Sequence, residues 1–200
     1  MANLQQVEKT RVVIQGFLAL LGKKILRTEL VKLVYLADNA FYESTGRTIT
    51  GNGYMWDHHG PNAIGSAIVS EANELANLGT IRMAERLSMY GGDAYQYWID
   101  NPNYAWEIVV SRLDAGERQI LMDVVNKFGE LNMSSLVKRS KETQPFINVQ
   151  QYDVLQLKQN ENAAKLIKKL DAVGEFLEEV ESGLEDAEKG QWVWDEELNS

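Results

Sequence analysis

The chain has 200 residues, 44% of them hydrophobic and 24% charged, which is enough to bury one sizeable core and ordinary for a folded domain. It contains no cysteine, which excludes disulfides, thiol catalysis and thiolate-liganded zinc and fits a reducing compartment. The net charge of −9 is local: eleven of the 29 acidic residues but only one of the 20 basic ones lie between 171 and 200, leaving 18 acidic and 19 basic side chains in a nearly neutral body. That distribution argues against DNA binding through a broad basic face, because phosphate contacts supply most of such affinity. No window approaches the roughly 18 consecutive apolar residues of a spanning helix, and the first residues carry no long apolar run, so the chain reads as cytoplasmic.

Leu4, Val7, Val13, Ile14, Phe17, Leu18 and Leu21 recur at helical spacing and stop at Gly22, which predicts a first helix with a left-handed C-terminal cap. A second helix is expected from a Thr28 cap, with Glu29 in its first turn and Leu30, Leu33, Val34, Ala37 and Phe41 on one face, ending near Gly46. The stretch 47–60 is rich in glycine, threonine and aromatics and reads as extended, before a third helix that starts at Pro61 or just after it. Alternation in Ile81, Met83, Glu85 and Leu87 and again in Tyr95, Tyr97 and Ile99, about Gly91, Gly92 and Asp93, predicts a β-hairpin near 81–99.

Helices return after Pro102. Asp114 followed three residues on by Glu117 is a capping-box signature ahead of Ile120, Leu121, Val124, Val125 and Phe128. A shorter helix follows from Ser134 to Ser140, interrupted by Pro145 and Phe146. Last comes a heptad seam through Ala163, Leu166, Leu170, Val173, Leu177, Val180, Leu184 and Ala187. It can dock on the chain's own core or offer itself to a partner, and a homodimer through 163–187 is one such use. Trp192 and Trp194 sit in the acidic tail beyond it. The expectation is a mainly α fold: a compact helical domain over 1–153 with a small antiparallel β-hairpin, a C-terminal heptad-patterned helix over 154–187 and an acidic tail over 188–200.

Catalytic signatures are sparse. The two histidines, His58 and His59, are adjacent, so their side chains diverge and chelate poorly. No Gly-x-Ser-x-Gly elbow, dinucleotide fingerprint or Gly-Lys-Ser/Thr tripeptide occurs. The sequence therefore predicts no catalytic residue, metal or cofactor. Tyr35, Tyr42, Tyr54, Trp56, Tyr95, Tyr97 and Trp98 make the middle of the chain aromatic-rich, which serves either a core or a protein-binding face.

One combination is more specific: Lys32, Leu33, Val34, Tyr35, Leu36, Ala37 and Asp38 on the second helix, then Gly53 and Tyr54, then His59, Gly60 and Pro61. Ser140, Thr143, Pro145 and Phe146 follow downstream. This combination resembles the Panacea domain, an antitoxin domain found beside many unrelated toxins, and the resemblance runs from about Leu4 to Asp153. It implies a non-catalytic domain that binds and blocks a cognate toxin encoded nearby. One branch of such proteins instead acts as an adaptor delivering its toxin to an ATP-dependent protease. The expected partner-binding residues are Lys32, Tyr35, Asp38, Tyr54, Trp56, His59, Gly60, Pro61, Trp192 and Trp194. Lys32, Tyr35 and Asp38, spaced by three on one helix face, are expected to reach Gly60 and Pro61 together, with Tyr54, Trp56 and His59 exposed for recognition. A self-regulating DNA-binding repressor, a phage or prophage protein that binds a host factor, and an enzyme of unknown type are the rival readings.

Overall fold

Ten consecutive buried residues from Leu30 to Asn39 mark one helix as the centre of the architecture. In this computed structural model, which describes residues 4–87 and 93–157, that helix is α2 (Arg27–Thr45), wrapped by α1 (Leu4–Leu21), α3 (Ala67–Asn77), α5 (Ala115–Phe128) and α6 (Met133–Lys141). The helices α4 (Pro102–Arg112) and α7 (Gln144–Ile147) complete the helical set among the described residues. The mainly α class with small antiparallel sheets is as expected. Gly16 allows a close helix crossing: a β-carbon there would lie 2.6 Å from Leu121 Cδ2, so α1 and α5 approach over a residue with no side chain.

The hairpin forms from β4 (Arg82–Leu87) and β5 (Asp93–Trp98), paired from Arg82 with Trp98 to Leu87 with Asp93. A third strand not foreseen from sequence, β1 (Ile25–Leu26), pairs antiparallel with the other edge of β5. Fully buried Tyr97 ties this sheet to α3 by donating its hydroxyl to Asn73 Oδ1 at 2.7 Å. The turn glycines Gly91 and Gly92, the heptad seam over 163–187, and Trp192 and Trp194 lie outside the described residues.

Helix ends follow local chemistry, with two departures. Gly22 and Gly46 end α1 and α2 at φ 57° and 77°, and Asp114 and Glu117 form the expected capping box, with bonds of 2.8 and 3.0 Å. Thr28, however, does not cap α2. The cap falls two residues earlier, at Leu26, and Glu29 reaches back to accept the Leu26 N–H at 2.7 Å. Nor does a helix start at Pro61. Asn62–Ala63 instead form β3, paired antiparallel with β2 (Tyr54–Met55), and α3 begins only at Ala67 after a short 3-10 turn.

The chain divides into a unit spanning Met1–Gln159 and a second spanning Asn160–Ser200. Val154 bridges Met55, and Leu155, which is buried, donates its N–H to Tyr54 O at 2.8 Å, so both belong with the first unit. Among the described residues no helix is long and apolar enough to cross a membrane.

Candidate functional site

The motif residues on α2 are inside the protein. Lys32, Tyr35 and Asp38 are at most 2% exposed, as is Tyr54, and Gly60 and Pro61 are buried as well. This corrects the expectation of an exposed Tyr54 and of three α2 side chains converging on Gly60 and Pro61. Only Lys32 makes that contact, donating from Nζ to Pro61 O at 2.6 Å. Burial lowers its ammonium to about 8, with the Asp57 carboxylate acting upward and Lys141 downward.

One turn on, Tyr35 reaches the segment just past the C-terminal end of α6. Thr143 spends its single hydroxyl proton on Ser140 O at 2.9 Å, so the Tyr35 hydroxyl is the donor in the 2.6 Å bond to Thr143 Oγ1. Burial raises the Tyr35 phenol to about 12. Asp38 goes elsewhere again. It accepts the Thr50 N–H at 3.0 Å, the Thr50 hydroxyl, and the Tyr54 hydroxyl at 2.5 Å. Burial raises its carboxyl to about 6 despite these donors, and burial together with the Asp38 charge raises the Tyr54 phenol well above its ordinary range. The Tyr35 and Tyr54 rings meet edge to face, 5.0 Å apart.

Gly60 closes this arrangement. At φ 88°, it is in a conformation that side chains rarely adopt, and a β-carbon would lie 2.9 Å from Ser140 Oγ and 3.3 Å from Lys32 Cε. The segments singled out in sequence thus interlock: Lys32 with Pro61, Asp38 with Tyr54, Tyr35 with Thr143, Gly60 with Ser140. They clamp the 50–61 loop between α2 and α6.

The outer side of that clamped loop faces solvent. Half-buried Trp56 stacks on Phe146, with centroids 5.2 Å apart and planes at 17°. The exposed His58 ring stands edge to face between Trp56 at 5.9 Å and Tyr152 at 6.0 Å. Lys141 Nζ donates to His58 O at 2.6 Å, and Gln151 Nε2 lies 2.8 Å from His58 Nε2. Tyr152 is 61% exposed and held at φ 69°, a strained conformation for a non-glycine residue. His59 is exposed, but its described contacts are with Asp57, through a 3.0 Å bond from its N–H to Asp57 Oδ1. Of the predicted surface set, Trp56 and His59 therefore reach the surface, and Tyr54 does not. Trp192 and Trp194 are outside the described residues.

His58, Tyr152 and the Trp56–Phe146 stack were not singled out from sequence as a group. The available signal was an aromatic, Tyr152, between the helix predicted to end at Ser140 and the heptad-patterned helix, 94 residues from His58. No group of three or more histidine or acidic side chains that could hold a metal occurs among the described residues.

The fold and site define a helical domain with a small sheet, a buried polar clamp and an aromatic outer face. The family model described as "Antitoxin SocA-like, Panacea domain" matches residues 30–147, more than half of the chain, and the chain belongs to that family. No curated protein and no solved structure matches it.

Proposed function

We propose that this chain is the antitoxin of a toxin–antitoxin pair and neutralises a cognate toxin by direct protein–protein binding, as a cytoplasmic binding protein rather than an enzyme. The observation that carries the reading is the cluster of half-buried Trp56 with exposed His58 and Tyr152, the first two on the loop that the buried motif residues clamp. Aromatic side chains anchor protein interfaces because they bury large areas at small entropic cost. A rigid platform reduces that cost further. Membership of an antitoxin-like family supports a toxin as the partner. Of the predicted partner-binding residues, Trp56 and His59 act at the surface, while Lys32, Tyr35, Asp38, Tyr54, Gly60 and Pro61 hold the loop that presents them.

A standard interface of about 800 Å² per side extends well beyond three rings, so neighbouring surface takes part. The test is co-purification of the full chain with the product of the adjacent reading frame. A stable complex, weakened at least tenfold by a Tyr152→Ala, His58→Ala double variant as expected for central aromatic anchors, bears the reading out. No complex at micromolar concentrations overturns it.

A further inference from the structure

Beside the clamp lies a cleft of about 300 Å³, lined among others by Arg27, Thr28, Lys32, Asp57, His59 and Ser66. Its floor is unusual. Lys32 is 2% exposed, yet its described hydrogen bond, to Pro61 O, uses only one of the three N–H groups of an ammonium. Asp57 acts on Lys32 through its charge, but its own oxygens are engaged by the His59 N–H and the Asn62 side chain. On the wall, Ser66 sits at φ 55° without glycine's freedom and makes no side-chain capping bond to α3, although it precedes that helix. Arg27 is exposed at the rim, with its guanidinium 5.5 Å from the Tyr95 ring centroid.

Among the lining side chains, Arg27 and Lys32 against Asp57 leave one net positive charge in a partly desolvated recess, and Lys141 acts on Lys32 from outside the lining. That balance fits one negative charge, and the volume is at the small end of ligand sites. We propose that this cleft binds a single carboxylate group, with Lys32 and Arg27 as its counter-charges and the Thr28 and Ser66 hydroxyls as hydrogen-bond donors. A dianionic phosphate would leave the site with an uncompensated negative charge near Asp57, which is costly away from water. The recess is next to the loop that carries the aromatic face, but the carboxylate site stands independently of whether the chain neutralises a toxin.

The test uses the isotope-labelled full chain alone, titrated at constant ionic strength with acetate and, in parallel, with its neutral analogue acetamide. Acetate should shift the backbone amide signals of Thr28, Lys32, His59 and Ser66 saturably, and acetamide should leave them unmoved. Lys32→Met should abolish the response. Because that variant also strips Pro61 O of its donor, Arg27→Gln at the exposed rim is the safer probe, expected to weaken acetate about threefold or more with the rest of the spectrum unchanged. Equal shifts with acetamide, non-saturating shifts, or an Arg27→Gln chain that binds acetate as the parent does would overturn the proposal. Once acetate binding is established, adding acetate to the co-purified complex identifies the source: release of the partner assigns the cleft to an aspartate or glutamate of that partner, and retention assigns it to a free small acid.

Discussion

A carboxylate with no solvent exposure needs donors, and Asp38 collects three of them from Thr50 and Tyr54. They do not fully offset the loss of water, so the folded carboxyl titrates at about 6 instead of 3.8. The folded state therefore holds this proton more tightly than the unfolded chain. Its contribution to stability is fully present below pH 3.8 and is lost as the pH rises through about 6. The shift corresponds to on the order of 3 kcal/mol. Asp38→Asn has no such proton to lose. Urea midpoints measured for both chains from pH 4 to pH 7 should show the parent losing stability relative to the variant up to about pH 6, with a constant difference above it. A difference that is flat across the whole range would show that Asp38 is not held as described. The shared helix face of Lys32, Tyr35 and Asp38 was legible from spacing alone. Their destinations were not, because Thr143 lies 108 residues from Tyr35 and no local pattern encodes that pairing.

Among the elements, those long enough to repeat their own pattern were the legible ones. α1, α2, α5 and the β4–β5 hairpin each carry several periods of apolar spacing. β1, β2 and β3 have two residues each, too few to show any period, and they exist because neighbouring strands complete them. The late start of α3 has the same origin: Pro61 O is taken by Lys32, and Asn62–Ala63 pair with Tyr54–Met55 before the chain is free to coil. At the start of α5, the capping box does more than end a helix. Glu117 is 1% exposed, and besides the Asp114 N–H it accepts Lys9 Nζ at 2.6 Å and Arg47 Nη1 at 3.4 Å, joining α1 and the 47–50 segment to α5. Glu117 is the buried member of this cluster, and Glu117→Ala removes the cap's return bond together with the ties to Lys9 and Arg47, so it should cost about 2 kcal/mol. Asp114→Ala, which removes the cap and an exposed 3.3 Å ion pair with Arg47 that contributes little, should cost about 1 kcal/mol. Denaturant unfolding of the two variants checks the order. Equal losses would mean that Glu117 serves only the cap.

At the level of the whole domain, the motif residues singled out in sequence and the aromatic outer face are different sets. The motif residues face inward: Lys32, Asp38, Tyr54 and Gly60 fix the 50–61 segment against α2 and α6. Trp56, His58 and Tyr152 face outward from the same region, drawing on segments nearly a hundred residues apart. The expectation of an exposed Tyr54 failed at this division, since its side chain is on the buried side. A tyrosine at alternating spacing with a tryptophan reads equally well inward or outward until the partner of its hydroxyl is known.

The most direct test is a growth assay in which the adjacent gene product is co-expressed with the parent chain or with the Tyr152→Ala, His58→Ala variant. Both substituted side chains are exposed, so the variant should match the parent in urea midpoint. The neighbour should arrest growth, the parent should restore it, and the variant should fold normally without restoring it. A harmless neighbour, or a variant that restores growth as fully as the parent, would contradict it.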